Sequence, residues 1–379
     1  MEKLASCLPH HGATSSQSFK LSTLHRPTPT PTPGPRSSRP VSTVRCAPSS
    51  HAGIAAAAIA TAGDTETHRY DDVNGISSSF DLERYMSRNA ETVHAALDAA
   101  LTGLECPALL ADSMRYSALG GGKLVRPVLS IACCELVGGR AAAALPVACA
   151  AELVHAASLV HDDMPCMDDD ALRRGKPSCH AAFGEHAALL AGDALLALAF
   201  EHVARESSCH VGAHADRAIR AVAELAAAAG AGGVAAGQVA DKASECDVTV
   251  SLRLAGLEYI HVHKTARLVE AAAVCGAVVG GGGPGEVERV RRYARRVGLL
   301  FQVVDDVLDV TRTSEQLGKT AGKDVAAGKA TYPRLMGIDK ARAYAGELLA
   351  LAEAELDGFD AQRAAPLRHL ARFVAYREH

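Results

Sequence analysis

Tryptophan is absent from this 379-residue chain, and aromatic residues make up only 4% of it. Acidic residues are almost absent from residues 1–63, where Glu2 is the only one. That segment is instead rich in Ser, Thr and Pro and carries scattered arginines, so it cannot bury a core and is typical of an organelle transit peptide. We therefore predict a transit peptide or disordered segment at 1–63, a linker at 64–79 and a folded domain at 80–379. The excess of Ser, Thr and Pro over any Arg-rich amphipathic pattern favours the chloroplast stroma.

Paired cysteine motifs are also missing, since the eleven cysteines are scattered and none forms a CxxC pair. This pattern argues against a disulfide framework and against a structural zinc site. The net charge of −4 gives no indication of a nucleic-acid partner. Asp193 and other charges interrupt the longest apolar runs, so we predict no transmembrane segment.

Helix-forming residues dominate what remains from Phe80 onwards. The stretch "AALPVACAAELVHAASLVHDD" is nearly all apolar and predicts a helix that is buried on most sides. Similar apolar or amphipathic stretches follow one another, separated by glycine-rich loops such as "GGGGPGE" at 280–286, and no convincing strand appears. The predicted fold class is therefore all-α, a large helical bundle.

The first acidic cluster, "HDDMPCMDDD" at 161–170, ends the buried helix. Asp162 and Asp168 would point about 240° apart on a continuous helix, so they share a face only if the helix ends between them. Pro165 disfavours helix at the preceding residue and predicts a turn there. This turn would bring Asp168 back towards Asp162, and bound Mg²⁺ would relieve the repulsion between the carboxylates.

The second acidic cluster, "FQVVDDVLDV", contains Asp305, Asp306 and Asp309. Positions 305 and 309 differ by about 40° on a helix, so both carboxylates face the same way on an otherwise apolar element. Burying them without partners would cost several kcal/mol each, which favours a Mg²⁺ site over a solvated face. Two such clusters facing each other across a bundle would hold several Mg²⁺ around one diphosphate.

Cationic residues follow the glycine turns and the acidic clusters. Each of them alone is more often a solvated surface charge, but this placement favours contacts with phosphate. "GGGK" lacks the spacing and the preceding strand of a P-loop. The candidates are Lys123, Arg126, Arg173, Arg174, Lys264, Lys319, Lys323 and Lys329.

Taken together and in this order, the motifs GGK..R, DDxxxxD, RRG, KT, FQ..DDxxD and GK resemble the trans-isoprenyl diphosphate synthases. The resemblance extends from about Phe80 to the C-terminus and points most closely to the plant plastidial geranylgeranyl diphosphate synthases. It implies an isoprenoid-synthase-type helical bundle around a deep central cavity, normally a homodimer. It also implies a Mg²⁺-dependent transferase that joins isopentenyl diphosphate to C5, C10 and C15 allylic diphosphates. The expected product is C20 geranylgeranyl diphosphate for carotenoids, the chlorophyll side chain or diterpenoids.

The resemblance also assigns roles to individual residues. The catalytic aspartates are Asp162, Asp163, Asp168, Asp305, Asp306 and Asp309, of which all but Asp306 are expected to bind Mg²⁺. Isopentenyl diphosphate is assigned to Lys123, Arg126, His155 and Arg174, although a lone histidine in "ELVHAASLV" is more often a core residue. The allylic diphosphate is assigned to Arg173, Lys264, Thr265, Gln302, Lys319 and Lys329.

Some positions depart from the family pattern. Leu124 replaces an arginine after Lys123, and Ser130 replaces the first cysteine of a motif that the family links to pairing with a small regulatory subunit. Heterodimer formation with a related small subunit therefore stays open beside homodimer formation. Ala157 and Ser158 lie where the growing chain would pass, and their small side chains would leave room for a long product, with C15 and longer products left open. The alternative function is a non-catalytic subunit, but such relatives usually lose motif aspartates and this chain keeps both sets.

Overall fold

The computed structural model describes residues 80–209, 215–246, 254–312 and 329–377. The predicted transit peptide at 1–63, the linker at 64–79, and Lys319 and Lys323 lie outside these described residues. Within them the chain is almost entirely helical, which confirms the all-α prediction. The α-helices, numbered in chain order, are α1 (Leu82–Ala100), α2 (Ala108–Ala118), α3 (Val125–Leu136), α4 (Ala141–Asp162), α5 (Cys179–Phe183), α6 (Glu185–Cys209), α7 (Ala215–Ala229), α8 (Val234–Cys246), α9 (Leu254–His261), α10 (Arg267–Gly280), α11 (Pro284–Thr311), α12 (Tyr332–Met336), α13 (Ile338–Glu355) and α14 (Ala361–Tyr376).

Among the described residues one short hairpin interrupts the helices, whereas no strand is predicted from the sequence. Strand β1 (Leu172–Arg173) pairs antiparallel with β2 (Lys176–Pro177). The two residues between the strands, Arg174 and Gly175, both have positive φ, at 53° and 74°. Two successive residues with positive φ are typical of the tight turn that joins two twisted strands. The hairpin follows the first acidic cluster and carries Arg173 on its first strand and Arg174 at its turn.

The core is centred on α4 and α10. As predicted, α4 is buried on most sides, with residues such as Val147, Leu153 and Val160 all at 3% exposure or less. It packs against α3, α6 and α10, while α10 also packs against α7 and α11. Small residues allow close contact, because a Cβ added to Gly276 of α10 would overlap the backbone of Ser130 in α3. The buried apolar surface of these helices is the main favourable contribution to folding.

A buried network of ion pairs ties α10 to α7 and α11. The carboxylate of Glu270, in the first turn of α10, is buried and accepts bonds from Arg267, Arg291 and Arg295 at 2.8–3.1 Å. Arg291 also binds Glu224 of α7 at 2.7 Å. A buried carboxylate needs such partners because its charge is costly to remove from water. The network holds α10 in place, and α10 directly follows the segment that carries Lys264.

Three helical segments are long and apolar enough to cross a membrane by length and composition, so the prediction of no candidate span is wrong on that criterion. The charges that interrupt these runs are too few to lower the mean hydropathy sufficiently. The segments are 72%, 44% and 22% buried within the fold, in the order Ala141–Asp162, Glu185–Glu206 and Ala215–Ser244. For α4, burial against neighbouring helices accounts for the apolar surface.

Candidate active site

The first acidic cluster is shaped by a turn at the end of α4. The helix ends at Asp162, and the amide of Met167 then donates to the carbonyl of Met164 at 2.8 Å. The backbone N–H of Asp168 donates to the carbonyl oxygen of Asp162 at 2.9 Å. The turn predicted from Pro165 is therefore confirmed, and it returns Asp168 to the end of the helix.

The carboxylates of this cluster have different partners. Asp162 accepts a hydrogen bond from Gln238 of α8 and lies 3.5 Å from the ammonium of Lys264. Asp168 forms an ion pair with Lys242 of α8, with 2.6 Å between Nζ and Oδ1. Burial raises the pKa of Asp168, but the bond from Lys242 and the charges of other lysines outweigh it and leave that pKa below its ordinary value.

Asp163 differs from these two because its side chain is only 2% exposed and is bound by Arg173. The guanidinium approaches both carboxylate oxygens, with Nε 3.1 Å from each. Burial raises the pKa of Asp163, and the bond from Arg173 opposes this effect. Arg173 is thus held against the acidic cluster and does not line the cavity that contains the other predicted allylic-site residues.

The second acidic cluster lies near the C-terminal end of α11. Asp305 is 3.3 Å from the guanidinium of Arg377, near the end of the chain, and Asp306 accepts the backbone N–H of Tyr332 at 2.9 Å. Asp309 is 5% exposed, and its Oδ2 atom has no hydrogen-bond partner among the described residues. Buried carboxylate oxygens without a partner are rare, and this one is consistent with a cation ligand.

A cavity of about 180 Å³ lies beside the second cluster. It brings together four of the residues predicted for the allylic diphosphate, which lie between positions 264 and 329 of the chain. Its wall also includes Asp241 of α8 and His261 of α9. The predicted residues in the lining are Lys264, Thr265, Gln302, Lys329, Asp305 and Asp306.

Lys264 connects this cavity to the first cluster. Its ammonium donates to Asp241 at 2.7 Å and lies 3.5 Å from Asp162, while Lys329 lies 3.9 Å from Asp241. Thr265 donates its hydroxyl hydrogen to Gln302 at 3.0 Å. The lysines and carboxylates therefore form one continuous polar wall that leads from α4 to α11.

A π-helix of five residues, Val262–Ala266, positions Lys264 and Thr265 between α9 and α10. Such wide turns are rare and are frequent at functional sites. The backbone of α8 approaches this turn closely at Gly237, where an added Cβ would lie 2.5 Å from the Cα of Lys264. Only glycine fits at this position, so the sequence of α8 fixes how near its side chains come to Lys264.

The residues predicted for isopentenyl diphosphate lie around α3, α4 and the hairpin turn, next to the first acidic cluster. The guanidinium of Arg174 packs over Gly122, where a Cβ would lie 2.7 Å from its central carbon. Burial, together with the charges of Arg126 and Arg174, lowers the pKa of His155 well below its ordinary value, so this histidine is neutral at pH 7. Lys123 lies apart from these three, with its ammonium 5.5 Å from the ring centre of Phe373.

Two residues predicted to affect product length lie on α4, before the first cluster. Ala157 is 3% exposed, and the hydroxyl of Ser158 donates to the carbonyl of His155 at 2.8 Å. Ser158 therefore satisfies its polar group within its own helix. Leu124, the departure beside Lys123, adopts a left-handed conformation with φ of 46° at the start of α3.

Sequence reasoning missed several residues that contact the site. Burial and the charge of Arg174 both lower the pKa of Arg126. The negative charge of buried Glu152 opposes this change and partly offsets the loss of hydration of the guanidinium. On α8 the side chains that reach the acidic clusters follow the i, i+3, i+4 spacing of one helix face, a signal present in "GQVADK". No sequence signal indicates that Arg377 would reach Asp305. The missed residues are Glu152, Gln238, Asp241, Lys242 and Arg377.

The residues present fit Mg²⁺, although the described residues contain no group of three His, Cys, Asp or Glu side chains arranged to hold a metal ion. Mg²⁺ is commonly bound by one or two carboxylates together with phosphate and water, so a cage of protein ligands is not needed. The oxygens of Asp162, Asp168, Asp305 and Asp309 lie along the polar wall or beside the cavity. The unpartnered Oδ2 atom of Asp309 is the observation that supports the fit most directly.

Comparisons with known proteins agree with the resemblance. The family model described as polyprenyl synthetase matches residues 107–359. Two Arabidopsis thaliana relatives are each 55% identical: geranylgeranyl pyrophosphate synthase 3, chloroplastic (80% of this chain, 84% of the relative), and heterodimeric geranylgeranyl pyrophosphate synthase large subunit 1, chloroplastic (79% and 81%). The apo crystal structure of an FPP/GFPP synthase from Zymomonas mobilis is 38% identical, with a TM-score of 0.69 over 78% of this chain and 98% of that one. The chain therefore belongs to the polyprenyl synthetase family of prenyltransferases, close to the plant chloroplastic geranylgeranyl diphosphate synthases.

Proposed function

We propose that residues 80–379 form a catalytic domain that condenses isopentenyl diphosphate with C5, C10 and C15 allylic diphosphates. The products are all-trans geranylgeranyl diphosphate and diphosphate. The observation that carries this proposal is the cavity in which Lys264, Thr265, Gln302 and Lys329 meet Asp305. A cluster of cations and hydrogen-bond donors beside carboxylates is suited to a metal-bridged diphosphate.

The residues around this cavity would bind the allylic diphosphate and stabilise its departure. Lys264 and Lys329 place positive charge where the leaving oxygen gains negative charge, and Thr265 and Gln302 orient it. Mg²⁺, held by Asp162, Asp168, Asp305 and Asp309, would supply further charge stabilisation when bound. Asp163 would act by holding Arg173, and Asp306 by holding the backbone of Tyr332.

The second substrate would bind at the group of cations around α3, α4 and the hairpin turn. Arg126 and Arg174 carry the positive charge that suits the isopentenyl diphosphate, and neutral His155 would contribute a hydrogen bond. Lys123, which lies against Phe373, would reach the same diphosphate by turning its flexible side chain. The product chain would extend along α4 past Ala157 and Ser158, whose small side chains leave room for C20.

The cellular setting is part of the proposal. Segment 1–63 would direct import into the chloroplast stroma, where the product supplies carotenoids, the chlorophyll side chain or diterpenoids. The relatives described as chloroplastic support this location. The chain would act as a homodimer or pair with a related small subunit, and light scattering of the purified protein distinguishes these assemblies from a monomer.

Product analysis tests the proposal. The protein without residues 1–63 is incubated with Mg²⁺, isopentenyl diphosphate and each allylic substrate, and the products are sized. Asp162→Asn and Asp305→Asn are expected to lose condensation by a factor of at least about 100 without losing the fold, since each removes a charged ligand. Asp169→Asn is the matched control because Asp169 is exposed and asparagine tolerates its positive φ. Wild-type silence with every allylic substrate would overturn the proposal.

A further inference from the structure

Lys242 contacts Asp168 more closely than any cation contacts Asp162. Its ammonium lies 2.6 Å from Oδ1 of Asp168, and the two side chains are only 26% and 17% exposed. Asp162 instead accepts an uncharged amide from Gln238 and lies 3.5 Å from Lys264. Of these two aspartates, Asp168 is therefore the more strongly paired.

The geometry of α8 makes this contact specific. Gln238, Asp241 and Lys242 occupy one face of the helix, and each reaches a different charged group of the site. Asp241 binds Lys264 at 2.7 Å and lies 3.9 Å from Lys329, so it holds those two cations near the cavity. Lys242 lies next to Asp241 on the helix but pairs with Asp168.

A cation bound directly to Oδ1 competes with a metal ion for the same oxygen. Exposed ion pairs contribute little because water screens them, but this pair is mostly buried and therefore screened less, so it is stronger than a surface pair. A Mg²⁺ ion approaching Asp168 would also be repelled by the ammonium of Lys242. Both effects raise the concentration of Mg²⁺ that is needed to occupy the cluster.

We propose that Lys242 is an internal cation that occupies Asp168 in the absence of substrate and must be displaced from it when Mg²⁺ binds. Lys242 thereby sets the Mg²⁺ concentration at which the first acidic cluster becomes occupied. This inference rests on the proposed function, because it assumes that Asp168 is a Mg²⁺ ligand.

The test compares the wild-type protein with Lys242→Met, which keeps the length of the side chain and removes its charge. The thermal unfolding midpoint is titrated with MgCl₂ at a saturating concentration of a non-reactive thiolodiphosphate analogue of an allylic substrate. Half-maximal stabilisation is expected at about tenfold lower Mg²⁺ in Lys242→Met, which corresponds to about 1.4 kcal/mol. Lys340→Met removes one exposed lysine far along the chain, in α13, and is expected to leave the midpoint titration unchanged.

A second titration separates this role from direct binding of phosphate. At saturating Mg²⁺, the analogue is titrated into both proteins, and equal affinity is expected. An unchanged or increased Mg²⁺ requirement in Lys242→Met overturns the inference. A tenfold fall in the affinity of Lys242→Met for the analogue at saturating Mg²⁺ also overturns it, because Lys242 would then be a diphosphate ligand. Since neither titration needs turnover, a wild type that binds Mg²⁺ and analogue but forms no product contradicts the proposed function and leaves this inference standing.

Discussion

The contact of α8 with the π-helix allows a sharp test of how the site is positioned. Gly237→Ala adds one methyl group, whose Cβ would lie 2.1 Å from the amide nitrogen of Lys264 and 2.5 Å from its Cα. Ordinary van der Waals contact begins near 3.4 Å, so the two backbone segments must separate by more than about 1 Å. Backbone atoms cannot rotate away as a flexible side chain can.

This separation has two expected consequences. Overpacking costs about 1–3 kcal/mol of folding free energy, which exceeds the gain of up to about 1 kcal/mol that alanine offers over glycine within a helix. A displacement of 1 Å moves Gln238, Asp241 and Lys242 relative to Lys264. Misplacement on this scale costs about 100-fold in rate, so kcat/KM is expected to fall by about that factor.

The assay measures kcat/KM for isopentenyl diphosphate at saturating Mg²⁺ and allylic substrate, together with urea unfolding. Gly232→Ala is the matched control, because Gly232 precedes the same helix and an added Cβ there would meet nothing within 4 Å. Activity within threefold of the wild type in Gly237→Ala would refute the reasoning. An equal loss in both variants would also refute it, because the effect would then not come from the contact with Lys264.

Two other predictions concern charge. Glu270→Gln leaves three arginines around a buried neutral amide and is expected to lower the free energy of unfolding in urea by about 3 kcal/mol. Glu288→Gln is the control at a half-exposed position and is expected to cost less than about 1 kcal/mol. Equal effects of the two substitutions would contradict the role of the buried network. Burial lowers the pKa of His261 from 6.5 to about 4. Between pH 4 and pH 6.5 the unfolded state therefore binds more protons than the folded state. The free energy of unfolding consequently rises with pH in this range, by up to about 1.4 kcal/mol per pH unit. Urea unfolding at pH 5 and pH 7 is expected to show a smaller pH difference in His261→Phe than in the wild type, and an identical difference would contradict a lowered pKa of His261 in the folded protein.

The sequence was informative wherever one segment determined its own structure. The apolar run before Asp162 predicts the buried α4, and Pro165 predicts the turn that returns Asp168 to it, since both depend on local backbone chemistry. The spacing of Asp305 and Asp309 predicts a shared helix face for the same reason. The meeting of Lys264 and Gln302 in one cavity came from the family resemblance and not from any local pattern.

Contacts between distant segments could not be predicted in this way. Arg377 reaches Asp305 across 72 positions, and Gln238 reaches Asp162 across 76, so both pairs depend on how whole helices pack. The π-helix also gives no signal in composition. The close contact at Gly237 gives none either, because only the fold shows that the backbone of Lys264 lies against this glycine.

Charge balance at the site differs from the picture that the sequence suggested. The clustered aspartates were expected to repel one another until Mg²⁺ and diphosphate arrived, yet Lys242, Lys264, Arg173 and Arg377 already offset them. Mg²⁺ alone would have to displace Lys242 from Asp168 and Arg377 from Asp305, which is costly in a partly buried site. A diphosphate brings new anionic oxygens for Lys264, so metal and diphosphate stabilise each other's binding. By linkage, each should raise the affinity for the other by the same factor.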